Sequence, residues 1–265
     1  MRQTTSSVVT LSALLGELLI VAAVMAACVA LHAYLQHRFK SEVLRRHNDV
    51  AGYLFSAVGI LYAVVLGFVV VVVWQKYDDT VSNVENEVAA TADLYHVVEG
   101  YPEPSRSLIR LDLRRYIATV LHVEWPAMEQ GERIPELGAN TFEDAYNRIN
   151  TLLPANWRQF AAQQAAIVDE QRLFDARRVR LVHTVPSVPG ILWFALIAGA
   201  AAMIGFCFLF GVENRPAQLV MTATLVGLIG ILFVVVNAFS TPFSGSVRIS
   251  SDGWAYLQQR LPYIR

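Results

Sequence analysis

Residues 63 to 79 read AVVLGFVVVVVWQKYDD. The stretch passes from deep hydrophobicity through Trp74 into Lys76, Asp78 and Asp79, with no proline or glycine after Gly67. Extended back to Ala51, the apolar run is long enough to cross about 30 Å of hydrocarbon at about 1.5 Å per helical residue. Trp74 and Tyr77 stand where interfacial aromatics are expected. From Phe68 to Glu99 nothing breaks a helix, so this span is predicted to run on for several turns beyond the bilayer until GYPEP, at 100–104, ends it.

Three more apolar stretches reach spanning length, at 10–35, 188–211 and 217–239. With 55% hydrophobic and 16% charged residues, the composition is that of a membrane protein. The net charge of −1 and the lack of a Lys/Arg-rich tract leave no nucleic-acid partner to expect. Cys28 and Cys207 fall inside apolar runs and read as small buried hydrophobes, although pairing is not excluded. MAAC, ending at Cys28, has a faint lipoprotein-like look, but the apolar run continues through VALHAYL, so a retained helix is expected.

Four crossings place both termini and the segment 75–186 on one side and the loops 36–50 and 212–216 on the other. Charge leaves the orientation open: Arg38, Lys40, Arg45 and Arg46 crowd the first loop, while Lys76, Arg172, Arg177, Arg178, Arg180 and Arg248 flank the opposite ends. The fold class is all-α, with four membrane helices and a helical extramembrane region between the second and third. The expected division is a first helix pair at 1–75, the extramembrane region at 76–186, a second pair at 187–240 and a tail at 241–265. Within the extramembrane region, helices are predicted at about 104–123, 140–152 and 155–183. A loop through EWPAMEQGERIPELGAN lies between the first two, and Pro186 and Pro189 mark the return to the membrane.

No catalytic constellation is present. His32, His37, His47, His96, His122 and His183 are scattered without metal-ligand spacing, and P-loop, dinucleotide and nucleophile-elbow motifs are absent. Asp78/Asp79 and Asp169/Glu170 are adjacent in sequence, so on a helix each pair diverges by about 100° and reads as a solvated face. No enzyme activity, metal or cofactor is expected.

Gly52, Ser56, Gly59, Ala63 and Gly67 recur every three or four residues and form a small-residue stripe that lets another helix approach. Beside it, Ile60, Val64 and Phe68 make an apolar row. Around an axis shared by several copies the row would form a constriction; within one four-helix bundle it would be ordinary packing. Glu17 either lines a pathway or precedes the hydrocarbon, and the second reading suffices because residues 18–35 reach across. Asn237 is expected to bond a neighbouring helix or its own backbone.

GYLFSAVGILYAVVLGFVVVVVWQKYDD, EWPAM and VNAFSTPFSGSVRIS together resemble the bestrophin-like family, membrane proteins common in bacteria that carry a domain of unknown function. The likeness runs from about residue 45 to 255, and the closing element at Pro242, Phe243 and Gly245 is its most specific part. A more distant similarity is to the bestrophins, pentameric ion channels with four membrane helices and a large cytosolic helical portion. That resemblance implies a homo-oligomeric ion channel, a pentamer in an inner membrane with cytosolic termini, its pore lined by the second span. The constriction would be Ile60, Val64 and Phe68, with Ser56 a polar mouth and the small residues packing helices. Val64 stands where bestrophins carry an aromatic, so chloride selectivity does not transfer. Ser244 interrupts their Pro-Phe-Gly and only Asp252 is acidic nearby, so a calcium clasp is not expected. The alternative is a non-conducting scaffold or sensor that binds a partner through 76–186.

Overall fold

The computed structural model describes residues 7–38, 48–132, 134, 137–211 and 214–261. The helices are α1 (Leu11–Arg38), α2 (Asn48–Val97), α3 (Ser105–Thr119), α4 (Trp125–Glu129), α5 (Leu137–Thr151), α6 (Trp157–Val182), α7 (Gly190–Leu209), α8 (Arg215–Ser240) and α9 (Asp252–Arg260). Two short strands, β1 (Ser7–Val9) and β2 (Val247–Ile249), pair antiparallel with Val8 opposite Arg248. The chain forms two compact units. One takes in the residues up to Val9, Tyr77–Val185 and those from Thr241 onward; the other holds Thr10–Lys76 and Pro186–Ser240.

The second unit contains the spans. The helices α1, α2, α7 and α8 are each long and apolar enough to cross a membrane, and their limits fall within three residues of the sequence expectation except at the end of α2. Leu66 and Val73 of α2 pack with Leu196 of α7 and Val236 of α8, with Tyr62, Trp193 and Phe233 around them. Gly199 permits this approach: a Cβ there would lie 2.4 Å from the Tyr62 ring. Toward one end His32, which is buried, bonds Thr222 Oγ1 through Nδ1 at 2.8 Å, and Gln36 donates to Gln218 at 2.8 Å. Thr222 spends its own proton on the Gln218 carbonyl, so His32 is the donor of its pair. Cys28 and Cys207 are free thiols.

The first unit is built on the far half of α2. Its buried side chains include Thr80, Val84, Glu87, Thr91 and Leu94, alternating steps of three and four that define one helical face. On α3 the buried positions are Ile109, Asp112, Leu113, Tyr116 and Ile117, whereas Leu111 is 39% exposed. After Thr119 the helix widens into a π-type turn over Val120–Glu124 and continues as α4. EWPAM is therefore largely helical where a loop was expected. Pro126 sits in the first turn, where its missing N–H costs nothing. The chain leaves α4 through Gly131, whose φ of +68° is the left-handed conformation that suits glycine. The α6 helix begins where Asn156 Oδ1 accepts from Gln159 N at 2.9 Å.

Candidate pore helix and the ion pairs that brace it

Along α2 the positions Ile60, Val64, Phe68, Val71, Gln75, Asp78, Ser82, Asn86, Ala89 and Asp93 are all exposed, and each lies three or four residues from the next. Ile60 is 66% exposed, Val64 51% and Phe68 69%. Within one chain, then, the predicted constriction residues share an uncovered face and do not pack in the bundle. The small-residue stripe behaves differently from position to position. A Cβ on Gly59 would meet Met203 Cε at 3.2 Å, while Gly52 and Gly67 have open space around them. Ser56 donates to its own helix at Gly52 O, 2.9 Å, and Ala63 is exposed.

The opposite face of the far half of α2 carries a cluster of buried charge. Glu87, Glu124 and Arg180 are fully buried. Arg180 Nε donates to Glu87 Oε2 at 2.7 Å and its Nη2 to Glu87 Oε1 at 3.0 Å, a bidentate pair. The same Nη2 donates to Glu124 Oε2 at 2.6 Å, and Arg177 Nη2 to Glu124 Oε1 at 2.7 Å. Tyr116 Oη donates to Glu87 Oε1 at 2.5 Å. Two carboxylates and two guanidiniums cancel, so every charge taken out of water here has a partner. Burial pushes the Glu124 carboxyl up, but Arg180 and Arg177 outweigh it and hold it below the usual carboxylate range. The Tyr116 hydroxyl is driven well above its ordinary value by burial and by Glu87. Sequence reading missed this cluster, yet a signal exists. Arg180 continues the buried row Ala166, Asp169, Leu173 and Ala176, and Glu87 falls between Val84 and Thr91 on the covered face of α2.

Asp169 and Glu170, expected on a solvated face, are 7% and 3% exposed. They diverge as the helix dictates: Asp169 accepts from Arg172 at 3.2 Å, and Glu170 has a long bond from Asn150 at 3.4 Å. Burial raises the Glu170 carboxyl, and the Asn150 bond offsets only part of this. A carboxyl whose folded pKa lies above its unfolded one binds its proton more tightly in the folded state. Stability therefore falls as pH rises from the ordinary carboxylate range through the raised folded value, then stays at the lower level. Glu170→Gln is expected to unfold at higher temperature than the parent at pH 8 and at the same temperature near pH 4, read by melting of detergent-solubilised protein.

The closing sequence element folds against EWPAM. Phe243, 2% exposed, meets Trp125 edge-on with ring centroids 5.6 Å apart. Pro242 is buried and its carbonyl accepts from Ile249 N at 2.9 Å, while Gly245 N donates to Thr241 O at 2.9 Å. Asp252 accepts from Ser250 Oγ at 2.9 Å. In the spans, Asn237 Nδ2 donates to Glu17 Oε1 at 2.7 Å, joining α8 to α1 beside an apolar crevice of about 460 Å³.

Four spanning helices with a helical extramembrane region inserted after the second define an all-α polytopic membrane protein. A family model of the bestrophin-like domain matches residues 22–253, and the chain belongs to that family. The fold is similar to a crystal structure described as that of a membrane protein, with a TM-score of 0.64 at 11% sequence identity, covering 89% of this chain and 96% of the other. No curated protein matches.

Proposed function

We propose that the protein is a homo-oligomeric ion channel, pentameric, with an axial pore lined by α2. The observation that carries this reading is the uninterrupted exposed row on α2. A helix whose positions from Ile60 to Asp93 keep one continuous row uncovered is suited to line a shared axis. Ile60, Val64 and Phe68 would form stacked apolar rings, a constriction that passes ions partly dehydrated. Ser56 would stand at the mouth, while Gly52, Ala63 and Gly67, which have room in the single chain, would allow a neighbouring helix close approach. Under this reading the extramembrane region and both termini face the cytosol from an inner membrane. The Arg180 cluster supports it by pinning the far half of α2 on the face opposite the row.

The test is current through purified protein of measured subunit number in a planar bilayer. Phe68→Ala is expected to raise unitary conductance or change selectivity, and an unchanged current from a well-assembled variant would remove the row from the pore. A non-conducting scaffold or sensor is the second reading. Its support is apolar surface outside the spans: Trp157 is 78% exposed, Phe174 50% and Val182 61%. Silence from folded, oligomeric protein would favour it.

A further inference from the structure

We infer that the crevice between α1, α7 and α8 holds a membrane lipid: one acyl chain of a phospholipid with an ammonium head group lies along it, and the head group donates to Glu17. The inference stands whether or not the protein conducts. The crevice has a volume of about 460 Å³, within the range of small-molecule sites, and its walls belong to three of the spanning helices. At one end stand Glu17, Trp193 and Asn237, in the second turn of α1, the first turn of α7 and the last turn of α8. The other end reaches Val24, Ile204 and Val226. Trp193 and Ile204 are eleven residues apart, as are Val226 and Asn237, so the crevice runs about 16 Å along the helices. That is about the depth of one leaflet, half of the roughly 30 Å of hydrocarbon. Between α1 and α8 the floor is tight, since a Cβ on Gly230 would lie 2.5 Å from Val21 Cγ1. Ile20 and Ile197 on the walls are exposed, so the crevice opens at the surface of the spanning unit, where the solvent is lipid.

The polar end decides the head group. Among the described residues Glu17 is the one ionisable side chain on the walls. Its Oε1 accepts from Asn237 Nδ2 at 2.7 Å, while Oε2 is buried and accepts no bond from a described residue. A buried acceptor without a donor is costly, and a hydrocarbon chain alone would leave it so; an ammonium supplies both the proton and the opposite charge. The protein offers no such group. Arg38, Arg215, His32 and His37 lie toward the opposite ends of α1 and α8. Lys76 of α2, at the same end of the spans as Glu17, is not on the walls, and Glu17 makes no ion pair among the described residues.

Native mass spectrometry of the full chain in detergent tests this, with phosphatidylethanolamine, phosphatidylcholine and phosphatidylglycerol of matched acyl chains. The choline head group carries the same charge as ethanolamine but has no N–H to donate. Wild type is expected to bind the ethanolamine lipid about tenfold more tightly than either of the others, the worth of one hydrogen bond to a charged group. Glu17→Gln keeps an oxygen for Asn237 and should bind all three alike. Ala201→Phe, at an exposed position on the crevice wall, should fill the crevice and lose most of the binding of every lipid. Melting temperature and subunit number are measured for each form. No preference in wild type, or one that survives in Glu17→Gln, overturns the head-group assignment. Undiminished lipid binding by folded Ala201→Phe removes the chain from the crevice, and if that variant also loses subunits, the crevice seats a second copy of the chain instead.

Discussion

Arg180→Ala is expected to cost the extramembrane unit about 3–5 kcal/mol, the penalty for leaving buried charge without its partner. The loss is large because one side chain neutralises two carboxylates, Glu87 and Glu124, neither of which reaches solvent. Arg177 still holds one oxygen of Glu124, but Glu87 would keep only the Tyr116 hydroxyl. Against a total of about 5–15 kcal/mol for a typical domain, this is enough to bring the unit near its unfolding threshold. The contrast is a quadruple variant, Arg177→Met and Arg180→Met with Glu87→Leu and Glu124→Leu, which removes all four charges of the cluster together. Replacement of a buried ionic cluster by apolar residues of similar volume is often neutral or better, so the quadruple variant should recover most of what the single one loses. Chemical denaturation followed by tryptophan fluorescence would read both. If the single variant melted like wild type, the cluster would not be holding α2 to α6.

The second large effect is expected at the family motif. Phe243→Ala removes a ring that is 2% exposed and stands edge-on to Trp125. Truncation of a buried phenylalanine costs about 3–5 kcal/mol, part of it cavity and part the aromatic pair. Phe243→Leu, which keeps most of the volume, should recover over half of that loss. Fluorescence of Trp125 gives a local readout beside the global melt. Equal stability of the alanine variant would mean that the motif has another role than packing against EWPAM.

Hydrophobic pattern made the spans and most of the extramembrane helices legible, because each of those elements is decided locally by a long run or a sustained period. The unbroken length of α2 was equally plain from the lack of proline and glycine between Phe68 and Glu99. What stayed hidden depends on contacts far apart in sequence. Nothing near Ser7–Val9 announces a strand until Val247–Ile249 lies beside it. EWPAM reads as a loop because proline is a breaker in most positions, and only its place in a first turn makes it harmless. Asp169 and Glu170 read as solvated because charge normally means surface, and Arg180 was counted as a flanking charge for the same reason. Glu170 meets Asn150, 20 residues away in sequence, and Arg180 meets Glu87, 93 residues away. The apolar row of Ile60, Val64 and Phe68 was visible as a pattern, but whether it faced a core or open space required the neighbouring helices.

The pairing of β1 with β2 fixes a parity. Two strands joined by backbone hydrogen bonds cannot lie on opposite faces of a membrane, so the chain between Val9 and Val247 crosses an even number of times. The four candidate spans satisfy that count. The same unit contains Tyr77–Val185, which splits the crossings into two before it and two after. One impermeant label at an exposed position of that unit, such as Ser82, therefore assigns the side of both strands and of the whole helical insertion at once.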